Sequence, residues 1–383
     1  MHIERLHQRN IAQDLAQSRK VLVIYGARQV GKTTLVRELM RPYPGKVLEI
    51  NADNMPFLEA LSSRSLEQLK GLVQGYDLLF IDEAQRVPDI GINLKLLHDQ
   101  LPQLRIIVTG SSTLDLANRI KEPLTGRTWT FQLYPISAEE WAAHHGANTA
   151  EVALQLEEWL VYGLYPEVLQ IGSRANKQRY LQELTQSYLY KDILTLANIR
   201  YPEKLRQLLK LLAWQTGSLV SVNELANALQ ISRDAVQHYL DLLEKSFVIF
   251  RLGGFSRNLR KEMTKMSKIY FYDLGVRNAL IENFSSLSAR TDAGQLWENF
   301  LIVERLKTSG YHFHYANRYF WRTQTGAELD YVEDFGGRLH GYEFKWGAKA
   351  AHAPAAWTEA YPDAAFQCIN RSNFMDFVRL SAG

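Results

Sequence analysis

The first third of the chain alternates short apolar runs with helical stripes. Residues 21–25 read Val-Leu-Val-Ile-Tyr, an unbroken β-branched run of the buried-strand type. The runs at 47–50, 78–81 and 105–109 have the same character. Between them, residues 34–40, 65–73 and 93–100 carry helical spacing, and Pro42 and Pro44 interrupt the first of these stretches. Residues 3–18 predict a polar helix with Ile3, Leu6, Ile11 and Leu15 on one loose stripe. Strands alternating with helices predict an α/β domain with a parallel sheet covered on both faces. In such sheets ligands gather at the carboxyl ends of the strands.

The pattern then changes. Residues 151–200 have helical periodicity, interrupted at Gly163-Leu164-Tyr165-Pro166, and are rich in aromatics: Trp159, Tyr162, Tyr165, Tyr180, Tyr188 and Tyr190. These rings either stack on bases or fill a core. From 204 to 279, three amphipathic helices are expected. The second opens on a capping box at Ser221 to Glu224, and the third is capped by Ser232. Two strands follow, at 247–252 and 268–272. Three helices and a two-stranded ribbon form a winged helix-turn-helix, whose third helix would enter a DNA major groove. Its outer side carries Arg233, Gln237, His238 and Lys245, and the connection after it carries Arg251, Arg257, Arg260, Lys261, Lys265 and Lys268. That basic wing suits phosphate contacts, although Asp234, Asp241 and Glu244 dilute the helix. From about 290 a helix at 296–306 and strands at 313–321, 329–332 and 341–345 predict a further α/β unit. The expected domains are therefore 1–145, 146–203, 204–282 and 283–383.

The first strand runs into Gly26-Ala27-Arg28-Gln29-Val30-Gly31-Lys32-Thr33-Thr34, which matches the phosphate-binding P-loop between a strand and a helix. Its N–H groups and the helix N-terminus would face phosphates, with Lys32 on the β- and γ-phosphates and the Thr33 hydroxyl on Mg²⁺. Asp82, closing an apolar strand, would hold the Mg²⁺, and Glu83 would polarise the attacking water. Thr109 falls at the same end of the sheet, within reach of the γ-phosphate or of the water. Arg127, in Leu124-Thr125-Gly126-Arg127, has two readings: an arginine reaching a neighbouring copy's nucleotide, which implies a homo-oligomer, or a loop arginine in a surface ion pair. Near the C-terminus, Glu298, Asp330, Glu343 and Lys345 could form a carboxylate metal site with a lysine beside it. They could equally form a solvated strand face with an ion pair.

Composition narrows this picture only slightly. Of 383 residues, 46% are hydrophobic and 22% charged, as in globular proteins, and a net charge of +3 permits a nucleic-acid partner without requiring one. A single cysteine, Cys368, excludes an internal disulfide and a cysteine zinc cluster. No apolar run approaches a membrane span, and the first residues lack a signal-peptide core, so a cytoplasmic location is expected.

Together the motifs resemble a family of prokaryotic AAA-type ATPases with a C-terminal region long labelled as of unknown function. The resemblance is carried by 26–34, Phe80-Ile81-Asp82-Glu83-Ala84-Gln85, Thr109-Gly110-Ser111-Ser112, Leu124-Thr125-Gly126-Arg127 and Tyr270-Phe271-Tyr272-Asp273-Leu274-Gly275. Trp321-Arg322, Gly326-Ala327-Glu328-Leu329-Asp330 and Glu343-Phe344-Lys345 complete it. It implies an AAA-type P-loop sheet followed by a winged helix and a small restriction-endonuclease-like fold. Glu298, Asp330, Glu343 and Lys345 would then match the PD-(D/E)xK nuclease pattern, with Leu329 where a proline is usual. The expected function is Mg²⁺-dependent ATP hydrolysis coupled to a DNA-binding, nuclease-like module. The alternative is an ATP-dependent signalling or scaffolding switch that binds a protein. A helicase, prompted by Asp82-Glu83-Ala84-Gln85, would need a second RecA-like domain, and none is legible after residue 150.

Overall fold

The computed structural model describes residues 3–52, 54–111, 123–186, 201–256, 266–347 and 350–380. These divide into two compact units, one of residues 2–135 with 245–247, the other of 136–244 and 248–383.

The first unit begins with helix α1 (His7–Gln17). Its sheet contains β1 (Val21–Tyr25), β2 (Val47–Asn51), β3 (Leu78–Asp82), β4 (Arg105–Gly110) and β5 (Thr128–Gln132) in the order β2-β3-β4-β1-β5. Every pairing is parallel. All five residues of β1 are buried, which explains its continuous apolar run: a central parallel strand is covered on both faces. Helices α2 (Lys32–Met40), α3 (Met55–Ser62), α4 (Leu66–Val73) and α5 (Ile90–Gln100) supply the crossovers. Ile3, Ile11 and Leu15 of the predicted stripe are buried. β5 was not legible in the sequence. It is an edge strand in which only Phe131 is buried and Trp129 is 43% exposed, so its pattern lacks the apolar run of its neighbours.

The second unit starts with α6 (Ala138–His145), α7 (Thr149–Tyr162) and α8 (Arg174–Leu184). The predicted winged-helix elements follow: α9 (Pro202–Trp214), β6 (Leu219–Val220), α10 (Val222–Leu229), α11 (Arg233–Lys245), β7 (Ile249–Gly254) and β8 (Ser267–Phe271). The Ser221 hydroxyl accepts from the Glu224 N–H, which is half of the expected capping box, and the Ser232 hydroxyl accepts from the Ala235 N–H. After α12 (Leu274–Leu280) and the long α13 (Ala293–Tyr311) come β9 (Asn317–Arg322), β10 (Glu328–Phe335) and β11 (Arg338–Phe344). The chain closes with α14 (Ala355–Ala360), β12 (Ala365–Ile369) and α15 (Phe374–Val378).

The C-terminal strands do not form a sheet of their own. β7 pairs in parallel with β9 through Gly253 and Gly254, so wing and C-terminal strands make one seven-stranded sheet, β12-β11-β10-β9-β7-β8-β6. The boundaries expected at 203 and 282 therefore fall inside one compact unit. The helical stretch is locked to it as well. The buried Asp273 carboxylate accepts from the Leu164 N–H at 2.7 Å and from the Val276 N–H at 3.1 Å, capping α12 while holding the 163–166 break. Glycines make this approach possible. A Cβ on Gly163 would lie 2.1 Å from Asp273 Oδ1, and one on Gly275 would lie 2.1 Å from the Tyr162 carbonyl oxygen. Gly275→Ala forces two backbones apart and should cost about 1–3 kcal/mol, read as a lower denaturant midpoint in equilibrium unfolding. Trp159, Tyr162 and Tyr165 are buried in this core, not displayed for base stacking; Tyr188 and Tyr190 lie outside the described residues.

Candidate active site

Register builds the first site. Ile24 of β1 is level with Thr109 of β4, and Ile81 of β3 is level with Val108. Asp82 and Thr109 thus stand side by side at the carboxyl edge, next to the loop that leaves β1. This is also where the chain, having placed β2 two strands away, returns to flank β1: the topological switch point.

The loop is shaped by its glycines. A Cβ on Gly26 would lie 1.9 Å from the Leu133 carbonyl oxygen, and Gly31 caps α2 at φ +95°, a left-handed conformation. Lys32 is buried, and its Nζ donates to the carbonyls of Gly26 (3.0 Å) and Ala27 (2.9 Å), across the concavity of the loop. Gln29 forms the crown at φ +59°. Arg28, Val30 and Thr34 complete the turn and the first helical residues; Val30 is fully buried and anchors the loop.

Beside the loop, the Thr33 hydroxyl donates to the Asp82 carboxylate at 2.9 Å. The Thr109 hydroxyl donates to the same carboxylate at 2.5 Å and accepts from the Glu83 N–H at 3.1 Å. Thr109 is fully buried, so its hydroxyl is committed to orienting the two acids. Glu83 has φ +55°, an unusual backbone for a residue with a side chain and the kind of local strain that functional sites carry. Its carboxylate accepts from Gln85 Nε2, which also donates to Ser111 Oγ at 3.0 Å. A hydroxyl and a carboxylate in contact are hard oxygen donors of the type Mg²⁺ takes alongside phosphate oxygens and water, so the residues fit that ion.

Two participants escaped the sequence reading. Gln85 lay inside a quoted motif without a role. Arg5 gave no local signal at all, yet its buried guanidinium donates to the carbonyls of Val30 (2.7 Å) and Tyr134 (2.6 Å), bracing the phosphate loop from the start of the chain.

Arg127 is placed differently from the rest. It precedes β5 and its carbonyl accepts from the Val21 N–H, so it stands at the amino edge of the sheet, roughly a strand length (~17 Å) from the loop. Its Nε donates to Asp99 at 2.8 Å, and that guanidinium, with His98, holds the Asp99 carboxyl below its ordinary range. The ion-pair reading describes what the side chain does here.

In the second unit, α13, β10 and β11 carry the C-terminal tetrad. Asp330 Oδ2 accepts from the Phe344 N–H at 2.7 Å, and burial, with the charges of Glu298 and Glu343, pushes its carboxyl up to about 8. Burial also raises Glu298, against the opposing pull of Lys268 and Tyr270. Lys345 Nζ donates to Glu343 at 2.5 Å. The Asp330 carboxyl thus lies within electrostatic reach of both Glu298 and Glu343. Among the described residues no group of three or more His, Cys, Asp or Glu side chains is arranged to hold a metal ion. A residue assigned elsewhere joins the cluster. Lys268, counted in the basic wing, is only 4% exposed and reaches Glu298 at 3.0 Å and Glu328 at 2.7 Å. Burial opposes its charge, but Glu298 and Glu328 outweigh this and hold its ammonium above the ordinary lysine range.

The other wing cation that is described, Arg251, is also spent internally, on Glu244 (2.7 Å) and Asp241 (2.6 Å) of α11. Arg257, Arg260, Lys261 and Lys265 lie outside the described residues. Arg233, Gln237 and His238 are all exposed on α11, with Gln237 bonded to Asp241 at 2.9 Å.

A P-loop on this strand order, with an acid-ended β3 next to a polar β4 terminus, defines an AAA-type nucleotide-binding domain. An AAA domain model matches residues 18–142, which implies ATP binding. Two models described as domains of unknown function, DUF8612 and DUF4143, match 153–287 and 293–370. The uncharacterized protein Rv2008c of Mycobacterium tuberculosis is 30% identical over 329 residues, spanning 85% of this chain and 70% of that protein. The uncharacterized protein MJ1544 of Methanocaldococcus jannaschii is 26% identical over 334 residues, spanning 82% and 72%. This chain belongs to that family of AAA-domain proteins. Among solved structures, AMPPCP-bound DnaA from Aquifex aeolicus is similar at 16% identity over 63% of this chain and 87% of that one, with a TM-score of 0.30. Among the described residues no helix is long and apolar enough to cross a membrane.

Proposed function

We propose that the protein is a Mg²⁺-dependent ATPase whose turnover drives its C-terminal unit on DNA. The observation that carries hydrolysis is the single network Thr33–Asp82–Thr109–Glu83 beside the phosphate loop. Lys32 and the loop N–H groups take the β- and γ-phosphates, and Thr33 and Asp82 hold Mg²⁺, which supplies charge neutralisation on the transferring phosphoryl group. Glu83 orients a water for in-line attack and accepts its proton, and Gln85 aims the carboxylate. Arg127, freed from Asp99, would act only on a neighbouring copy.

DNA contact rests on the exposed Arg233, Gln237 and His238 of a winged helix. A second reading is favoured by the internal use of Arg251 and Lys268, which leaves the described part of this face poor in available cations: an ATP-dependent switch whose C-terminal unit binds a protein. Duplex DNA should raise the ATPase rate at low salt, and the stimulation should fall steeply between 50 and 200 mM salt. A rate indifferent to single-stranded, duplex and branched DNA at low salt favours the switch.

A further inference from the structure

The carboxylate cluster of the second unit contains a cation of its own. Lys268 projects from wing strand β8 against Glu298 of α13 and Glu328 of β10, with its Nζ 3.0 Å and 2.7 Å from their oxygens. The same Glu298 oxygen accepts from the Tyr270 hydroxyl at 2.6 Å, and Arg322 stands 3.6 Å from the other Glu328 oxygen. Asp330 and Glu343 are engaged by the Phe344 N–H and by Lys345. The ammonium thus holds Glu298, one of the three acids that a nuclease-type Mg²⁺ would need, together with Glu328, two residues before Asp330. A divalent ion binds carboxylate oxygens at about 2.0–2.1 Å and demands near-octahedral room, so it and the ammonium compete for the Glu298 carboxylate. The amine is buried, with its Nζ 5.7 Å from the centroid of the Phe320 ring, so it is a packed part of the unit and not a surface side chain that swings away.

We propose that Lys268 is the resident cation of this cluster: it occupies the Glu298 carboxylate that a metal shared with Asp330 and Glu343 would have to take, so the C-terminal unit neither takes Mg²⁺ at these acids nor cleaves DNA through them, and neutralising it opens the cluster to a divalent ion. The chemistry of the remainder supports the last step. Without the ammonium, Glu298, Glu328, Asp330 and Glu343 face Lys345 and Arg322, an excess of acids over cations.

The test is a Mn²⁺ titration of the nucleotide-free full-length protein, with free Mn²⁺ followed by electron paramagnetic resonance. Lys268→Met keeps the stem and removes the charge. It should gain one Mn²⁺ per chain, bound at least tenfold tighter than any site in the wild type, and the gain should vanish in Lys268→Met/Glu298→Gln. A Lys268→Met protein with wild-type circular dichroism and no gain overturns the proposal. So does wild-type Mn²⁺ binding that Glu298→Gln removes, or Mg²⁺-dependent plasmid nicking by the wild type that Asp330→Ala abolishes. Should Lys268→Met fail to fold, Lys268→Gln replaces it, and the wild-type titration and nicking assays decide by themselves.

Discussion

Lys32→Ala should lower ATP turnover by about 10²–10³-fold or more while leaving the fold intact. The ammonium is buried against the loop and points into the concavity that phosphates would fill, bonded there to the carbonyls of Gly26 and Ala27. With nucleotide bound it is a flexible cation able to follow negative charge from the ground state to the transferring phosphoryl group. Backbone N–H groups are fixed and act on both states, so their loss would weaken binding more uniformly. Alanine should therefore reduce kcat more than it raises KM. Steady-state phosphate release, with denaturation midpoints as the folding control, checks this. Equal kcat in mutant and wild type would remove the loop from the chemistry.

Glu83→Gln is expected to separate binding from hydrolysis. The side chain keeps its shape and still meets Gln85, but it no longer accepts a proton from water. Turnover should fall by about 10²–10⁴-fold with ATP affinity nearly unchanged, because Lys32, Thr33 and Asp82 are untouched. The backbone strain at Glu83 is shared by both proteins, so stability should be little altered. Fluorescent-nucleotide binding and single-turnover hydrolysis measure the two halves. A Glu83→Gln protein that turns over at the wild-type rate would move the base elsewhere. Ser111, tied to Glu83 through Gln85, would be the next group to examine.

The nucleotide half of the molecule was legible because its determinants are local. An apolar run before two glycines and a lysine specifies strand, loop and helix within 20 residues, and the acids at the end of 78–81 follow from the same period. What the sequence hid depends on partners distant along the chain. Arg5 braces Val30 and Tyr134 through backbone carbonyls, which no residue pattern advertises. The continuous second sheet depends on Gly253 and Gly254 lying beside Tyr319 and Phe320, a contact across more than 60 residues through two residues with no side chains. Lys268 was misread for the same reason. In a local window it is one more cation of a basic stretch, and only the fold brings Glu298 and Glu328 to it. The tetrad was thus read without Lys268, the cation that another element brings to Glu298.

The central claim is that the row formed by Thr33, Asp82, Thr109 and Glu83 hydrolyses ATP with Mg²⁺. The most direct measurement is orthophosphate release by the purified wild-type chain given ATP, with and without Mg²⁺. The expected result is multiple turnovers that need Mg²⁺ and stop when EDTA removes it. ATP that binds but stays intact for hours with Mg²⁺ present would contradict it.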